Sequence, residues 1–218
     1  MPVKDLMSKN LITVNVDDTI MKASKIMKEH SIQHLPVLKK GALAGIVSDR
    51  DLKEASPSKA TALDIHELYY LLDKITVGTV MPHLLFTIAP MDTVEKAAAL
   101  MLKHNISALP VVSPEGALEG IITKGDIFRA FVSISGIYQG EWAMGFELAD
   151  EPGSIKEVTD IIRTHGGRIA SILTGYEWAP QGFRHVYIRA RDLKDTQALQ
   201  QELGGKVKIL YFIHEKVD

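Results

Sequence analysis

The chain contains an internal repeat, which constrains its fold more than any other feature of the sequence. Residues 45–51 read Gly-Ile-Val-Ser-Asp-Arg-Asp, and residues 120–126 read Gly-Ile-Ile-Thr-Lys-Gly-Asp. Met7 and Met81 form a second matched pair, and further pairs follow at the same or nearly the same spacing. A repeat of this size is one supersecondary unit that cannot bury its apolar face alone. We therefore expect the two copies to pack against each other.

Each copy predicts the element order β-α-β-β-α. In the first copy, Asp18-Thr19 caps a helix with an apolar stripe that ends near His30. Residues 32–38 and 43–47 then predict two strands, and the Lys-Lys-Gly turn between them makes a β-hairpin. Ser48 begins the closing helix. The second copy repeats this order, with its first strand at Thr87-Ile88.

The doubled Gly-x-x-Ser/Thr-x-x-Asp motif has two interpretations. Asp51 and Asp126 fall in the first turn of a helix, beside backbone N–H groups and the positive end of the helix dipole. There a carboxylate could accept the hydroxyls of a ribose, and open amides could meet a phosphate. The alternative is an ordinary capping box, in which the aspartate reaches back to the N-cap amide.

With these motifs the sequence resembles a pair of CBS domains (a Bateman module) over residues 1–133. The resemblance implies two clefts that bind adenosine nucleotides (AMP, ADP or ATP) as regulatory ligands. It places Asp51 and Asp126 on ribose hydroxyls, the residues flanking each proline along the base, and the segments around Asp5 and Thr79 at the opposite wall. Asp5 carries a negative charge, which weakens anion binding in the first cleft. The nucleotide-binding residues implied are Asp5, Ile32, Gln33, His34, Pro36, Ser48, Arg50, Asp51, Thr79, Ile106, Ser107, Ala108, Pro110, Thr123, Lys124 and Asp126.

The last third of the chain changes pattern and predicts a second domain over residues 140–218. Its strands and helices follow the order β-α-β-β-α-β, the ferredoxin-like arrangement with helices on one face of an antiparallel sheet. The loop between its first strand and helix resembles the signature loop of ACT domains, which bind amino acids or related effectors. The resemblance implies an effector site at Asp150, Pro152, Gly153, Ser154 and Ile155, with Ser154 as the N-cap. The alternative is an Asp-Pro-Gly turn that needs no ligand.

Composition and missing motifs exclude several classes of function. The net charge is -2, so no global positive field attracts nucleic acid or anionic lipid, and the sequence lacks the aromatic signature of an RNA-recognition module. Cysteine is absent, which excludes disulfides and thiolate chemistry. Neither a dinucleotide fingerprint nor a P-loop is present, and the histidines show no metal-binding spacing. Without an apolar leader or span, we expect a cytoplasmic protein with no metal and no catalytic cofactor.

The full order of domains resembles the AcuB family of bacterial acetoin-utilisation regulators. The sequence predicts an α+β protein with a CBS motif at 1–56, a linker and helix at 57–76, a second CBS motif at 77–133 and an ACT-like domain. The linker helix can pack its apolar stripe across its own module, but Tyr69, Tyr70 and Leu71 lie off that stripe, and a second buried face there predicts a homodimer. The predicted function is a ligand sensor rather than an enzyme, and the alternatives are a dimeric scaffold without ligand or a cryptic enzyme.

Overall fold

The computed structural model describes residues 1–55 and 74–217. The chain divides into two compact units, Met1–Ile127 and Phe128–Asp218. The residues on which the predicted dimer helix depends, Tyr69, Tyr70 and Leu71, lie outside the described part, so the homodimer stays a prediction. Within the described residues, no helix has the length and apolar character needed to cross a lipid bilayer.

The first repeat has the predicted order of elements: β1 (Val14–Asn15), α1 (Ile20–Glu29), β2 (His34–Lys39), β3 (Ala42–Ser48) and α2 (Asp49–Glu54). β1 runs parallel to β2, and β2 pairs antiparallel with β3. The hydroxyl of Thr19 accepts the backbone N–H of Lys22 and so caps α1, as the sequence predicts. The apolar stripe of α1 is buried against the hairpin, which makes a core of β-branched and aliphatic side chains.

The second repeat matches the first except at its first strand. Its elements are α4 (Val94–His104), β4 (Ala108–Val112), β5 (Leu118–Thr123) and α5 (Lys124–Ser135), preceded by the short helix α3 (Val77–Val80). Instead of a strand at Thr87-Ile88, a single parallel bridge joins Ile88 to Val111. In the first repeat the N–H of Val16 continues the ladder to Leu38. The corresponding residue here is Pro90, which has no N–H to donate, so the strand stops.

The segments that precede the first strands are exchanged between the repeats. We call residues 1–8 and 75–82 the leading segments. The N–H of Val3 donates to the carbonyl of Asp92 at 2.8 Å, and that of Val77 donates to Asp18 at the same distance. Both valines are fully buried. Ser8 continues the exchange through an antiparallel bridge to Ile121. Each repeat is therefore completed by the leading segment of the other.

Two glycines of the repeat allow this exchange to pack closely. A Cβ atom at Gly45 would lie 2.6 Å from the Sδ atom of Met81, and one at Gly120 would lie 2.5 Å from the Sδ atom of Met7. The carbonyl oxygen of Ser8 would also lie 2.9 Å from a Cβ atom at Gly120. The matched methionines and glycines of the sequence are thus the two halves of one contact, since each methionine rests on a glycine of the other repeat.

The second unit has the predicted element order: β6 (Trp142–Ala149), α6 (Ser154–Thr164), β7 (Arg168–Gly175), β8 (Phe183–Arg191), α7 (Thr196–Gly204) and β9 (Lys208–His214). The four strands form one antiparallel sheet in the order β7-β8-β6-β9. Alternate residues of β6, namely Met144, Phe146 and Leu148, are buried in one core with Val158 of α6 and Leu199 of α7. The resemblance of this unit to ACT domains stays a prediction.

Candidate ligand-binding cleft

A cleft of about 590 Å³ lies in the first unit, where residues of the two repeats meet. It brings together these predicted site residues: Gln33, His34, Ser48, Arg50, Asp51, Ile106, Ser107, Ala108 and Lys124. The remaining lining is formed by residues that the sequence analysis did not place in a site, Ile46, Asp49, Glu54, Pro82, Leu84, Phe86 and Asn105. The first repeat therefore provides the motif aspartate and the second provides much of the facing wall.

The other predicted nucleotide-binding residues do not line this cleft: Asp5, Ile32, Pro36, Thr79, Pro110, Thr123 and Asp126. Pro36 and Pro110 are buried within the two hairpins. Thr79 is exposed, and its hydroxyl donates to the carbonyl of Thr76 at 2.7 Å. Asp126, the counterpart of Asp51, is only 5% exposed. The two motif aspartates thus occupy different environments despite their matched sequences.

The wall opposite Asp51 is not the one predicted, because the leading segments are exchanged. Asp5 belongs to the leading segment that bonds to the second repeat, where the neighbouring N–H of Lys4 donates to the carbonyl of Pro90. The Asp51 cleft is instead lined by Pro82, Leu84 and Phe86, which follow Met81. The signal that could have found them is their position directly after a methionine matched in the repeat.

This wall is apolar and open. The side chain of Leu84 is 75% exposed. Phe86 stacks on His104, with ring centroids 3.8 Å apart. Ile106 and Ile46 add further apolar surface to the cleft. An exposed apolar wall inside a polar cleft is the surface that a flat aromatic base would cover.

Asp51 caps its helix and lines the cleft at the same time. Its Oδ2 atom accepts the backbone N–H of Ser48 at 2.7 Å and the hydroxyl of Ser48 at 2.6 Å. The Ser48 hydroxyl in turn accepts the N–H of Asp51, which completes the capping box. Within the described residues, Oδ1 of Asp51 accepts no hydrogen bond, so one carboxylate oxygen remains for a ligand. The two interpretations of the motif are therefore compatible in the first repeat.

The first turns of the closing helices have fewer free backbone N–H groups than the sequence predicted. The N–H of Asp49 donates to the carbonyl of Gln33 at 2.9 Å, and the N–H of Asp51 is taken by the Ser48 hydroxyl. The second repeat has the matching bond, from the N–H of Lys124 to the carbonyl of Ser107. Two of the first three amides of α2 are thus already used. Most of the backbone amides that were expected to bind a phosphate therefore already have hydrogen-bond partners within the protein.

His34 and Ser107 join the two repeats at the floor of the cleft. The Nε2 atom of His34 and the Oγ atom of Ser107 are 2.7 Å apart. Burial lowers the pKa of His34 below its ordinary value, and this outweighs the opposing effect of the Asp51 carboxylate; Lys124 lowers the pKa further. The imidazole is therefore neutral at pH 7, and it contributes hydrogen-bonding groups rather than charge.

The charged side chains that line the cleft are mostly carboxylates, and one of the two cations is paired. Its described lining carries the carboxylates of Asp49, Asp51 and Glu54 and the cations of Arg50 and Lys124. Arg50 is bound through Nε to Glu54 at 2.7 Å. Among the described residues, no group of three or more acidic or histidine side chains could hold a metal ion.

In the second unit, the guanidinium group of Arg184 contacts the predicted effector loop. One guanidinium nitrogen donates to the Ser154 hydroxyl at 2.9 Å and to the Glu151 carbonyl at 3.4 Å, and another lies 3.5 Å from Asp150. Ser154 is not the N-cap as predicted. Gly153 takes that position with φ 98° and no side-chain cap, because a positive φ suits glycine.

The rest of the predicted effector loop is divided between solvent and core. Pro152 is exposed, whereas Ile155 packs against the core.

Comparison with known proteins identifies the first unit. The sequence profile of the CBS domain family matches residues 3–58 and 77–133, more than half of the chain. A CBS domain-containing protein of Dictyostelium discoideum is 35% identical over 133 residues, which cover 61% of this chain and 92% of that protein. Homoserine O-acetyltransferase of Methanosarcina acetivorans is 37% identical over 130 residues, but the match covers only 22% of that enzyme.

Solved structures give the same result. The CBS domain pair of protein MJ0100, in complex with 5′-methylthioadenosine and S-adenosyl-L-methionine, is 33% identical with a TM-score of 0.51, over 61% of this chain and 96% of that chain. An acetoin utilization protein, AcuB, from Vibrio cholerae is 30% identical with a TM-score of 0.50, over 61% of this chain and 90% of that chain. The doubled motif, the paired repeats and these matches agree, and the chain belongs to the CBS domain family.

Proposed function

We propose that this protein is a regulatory sensor that binds an adenosine compound in the cleft beside Asp51. The observation that carries the proposal is the carboxylate of Asp51, which lines the cleft and is fixed by its capping box through Oδ2. A carboxylate held in this way accepts hydroxyl groups without losing side-chain entropy on binding. The vicinal hydroxyls of a ribose fit such an acceptor.

The apolar wall supports an aromatic base next to the ribose. Leu84, Phe86 and Ile106 line the cleft together with the polar backbone around Gln33 and Ser107. Burying the exposed face of Leu84 under a base would remove apolar surface from water, which favours binding. The adenosine compounds in the CBS domain pair of MJ0100 support the same ligand class for this chain.

The sensor function is tested by the melting temperature of the purified protein with adenosine, AMP, ADP, ATP and S-adenosyl-L-methionine. A ligand present at about 100 times its dissociation constant stabilises the folded state by about 2.7 kcal/mol. We expect an increase in melting temperature with at least one adenosine compound and no turnover of it. The absence of a shift with every one of them would favour the ligand-free scaffold.

A charge-only substitution identifies the site. Asp51→Asn can keep the capping bond through its carbonyl oxygen, but it presents an amide donor where the free carboxylate oxygen was. We expect a loss of affinity of about tenfold or more, because hydrogen bonds to a charged acceptor contribute about 1.5–3 kcal/mol. Asp126→Asn makes the same change in the other repeat. If the cleft beside Asp51 is the main site, Asp126→Asn leaves most of the affinity intact.

For the second unit, we propose a carboxylate-bearing effector, such as an amino acid, at the loop around Gly153. The observation that favours it is the lack of a side-chain cap on α6, which leaves its positive dipole end to an external anion. Isothermal titration with a panel of amino acids tests this. The expected result is binding that Gly153→Ala weakens and that Gly116→Ala, at a glycine of similar positive φ in the first unit, leaves unchanged. If no amino acid of the panel gives a heat of binding, the proposal is contradicted.

A further inference from the structure

We propose that the cleft beside Asp51 selects adenosine compounds whose 5′ group is uncharged or cationic and discriminates against polyphosphates. This inference rests on the proposed function, since it concerns the same cleft. It assigns to Asp49 and Glu54 a role in specificity, as residues that repel a chain of phosphates. Asp49 is a variable position of the sequence motif and Glu54 lies beyond it, and neither was among the predicted site residues.

The first argument is the balance of charge. In the described lining, three carboxylates, those of Asp49, Asp51 and Glu54, accompany two cations, Arg50 and Lys124, and Lys53 balances Asp49 from outside the lining. His34 adds no positive charge at neutral pH, because burial keeps its imidazole deprotonated. The cleft therefore has no surplus of positive charge to attract a chain of phosphates, and each added phosphate meets repulsion from its carboxylates. A cationic or neutral ligand does not meet this repulsion.

The second argument is that the cations of α2 are already paired. Arg50 is bound to Glu54 at 2.7 Å, one helical turn further along α2. Lys53, the next cation of the same helix, is bound to Asp49 at 2.5 Å. A phosphate group would have to compete with these carboxylates for each cation. Among the cations of the described lining, only Lys124 has no ion-pair partner there.

The third argument is the state of the backbone amides. Helix starts that bind phosphates do so through free N–H groups. In α2 the amides of Asp49 and Asp51 are bonded to Gln33 and Ser48. The hydrogen-bonding capacity that a phosphate would need is thus used internally. The Asp51 acceptor and the apolar wall around Leu84, which need no anionic group on the ligand, remain available.

Isothermal titration of the full chain with adenosine, 5′-methylthioadenosine, AMP and ATP at low salt tests this inference. ATP is measured with and without Mg²⁺, because the metal masks part of its charge. We expect adenosine and 5′-methylthioadenosine to bind more tightly than ATP by about tenfold or more. Higher salt should narrow that ratio, because salt screens the repulsion.

Charge variants show which residues discriminate. Glu54→Gln removes one carboxylate and releases Arg50, so we expect the affinity for ATP relative to adenosine to rise about fivefold. Asp49→Asn should act in the same direction. The matched control is Glu29→Gln, which removes an equal charge from α1, where Glu29 is exposed and paired with Lys25. This control should leave the ratio unchanged.

The outcomes separate this inference from the proposed function. If adenosine compounds bind and ATP binds as tightly as adenosine or more tightly, with or without Mg²⁺, charge selection is refuted and the sensor function stands. Equal ratios in Glu54→Gln and Glu29→Gln would refute the role of Glu54. If none of the compounds binds, the proposed function fails and the inference fails with it.

Discussion

The contact between each methionine and the glycine of the other repeat predicts that alanine has unequal effects at two matched positions. Gly45 and Gly120 occupy the same place in their hairpins, and neither has a positive φ, so alanine is allowed by the backbone at both. The difference lies in what the new methyl group would meet. At Gly45 it would meet only the flexible side chain of Met81, whereas at Gly120 it would also meet the carbonyl oxygen of Ser8 at 2.9 Å.

The expected cost follows from these contacts. Adding a methyl group to a well-packed site costs about 1–3 kcal/mol when the surroundings cannot move. We expect Gly120→Ala to cost about 2 kcal/mol, because the Ser8 carbonyl is held by its bridge to Ile121. Gly45→Ala should cost less than about 1 kcal/mol, because Met81 can change rotamer and alanine lowers the entropy of the unfolded chain.

Calorimetric melting of the full chain measures both variants. A loss of about 2 kcal/mol lowers the melting temperature of a domain of this size by about 5–10 °C. Each variant is then combined with a truncation of the methionine it meets. Met81→Ala should remove nearly all of the cost of Gly45→Ala, whereas Met7→Ala should remove only part of the cost of Gly120→Ala. Equal costs at the two glycines, or full rescue of Gly120→Ala by Met7→Ala, would refute the reasoning.

Three further predictions concern pH and capping. Burial lowers the pKa of His34, so this side chain takes up a proton more readily in the unfolded chain, and the free energy of unfolding should fall as the pH drops below about 6.5. In urea unfolding between pH 5 and 7, His34→Gln should make the free energy of unfolding less dependent on pH. The hydrogen bond from Lys96 lowers the pKa of Asp92, so its contribution is present above about pH 4 and lost as the carboxylate is protonated; Asp92→Asn should be destabilised at pH 7 and converge with the wild type in acid. Asp195 caps α7, and Asp195→Ala should cost about 1 kcal/mol of unfolding free energy by urea titration, while an unchanged midpoint would contradict the capping role.

The secondary structure was largely predictable because it is encoded locally. The hydroxyl caps at Thr19 and Thr93 begin helices as predicted, since their hydrogen bonds form within one turn of chain. Strand β6 is also encoded locally, since alternate residues of Trp142–Ala149 are buried in one core. The missing strand at Thr87-Ile88 was also readable in principle, because Pro90 replaces the residue whose N–H continues the ladder in the first repeat.

The composition of the cleft was only partly predictable, because it depends on which repeat each leading segment packs against. A matched pair such as Met7 and Met81 reads the same whether each stays with its own repeat or crosses to the other. The resemblance to CBS domains therefore placed Asp5 beside the first motif, and it missed Leu84 and Phe86. The Ser48–Asp51 box was found as a pattern, but only the structure shows that a single carboxylate oxygen, Oδ2, takes part in it.

The exchange of leading segments also has a consequence for the order in which the protein can fold during synthesis. The antiparallel bridge from Ser8 waits for Ile121, more than a hundred residues later. Contacts of such long sequence separation are slow to form, and until they form the apolar side chain of Val3 lacks its native site. We therefore expect a nascent chain that ends after the first repeat to remain incompletely folded. Residues 1–8 are made before either repeat, yet they are among the last to form their native contacts.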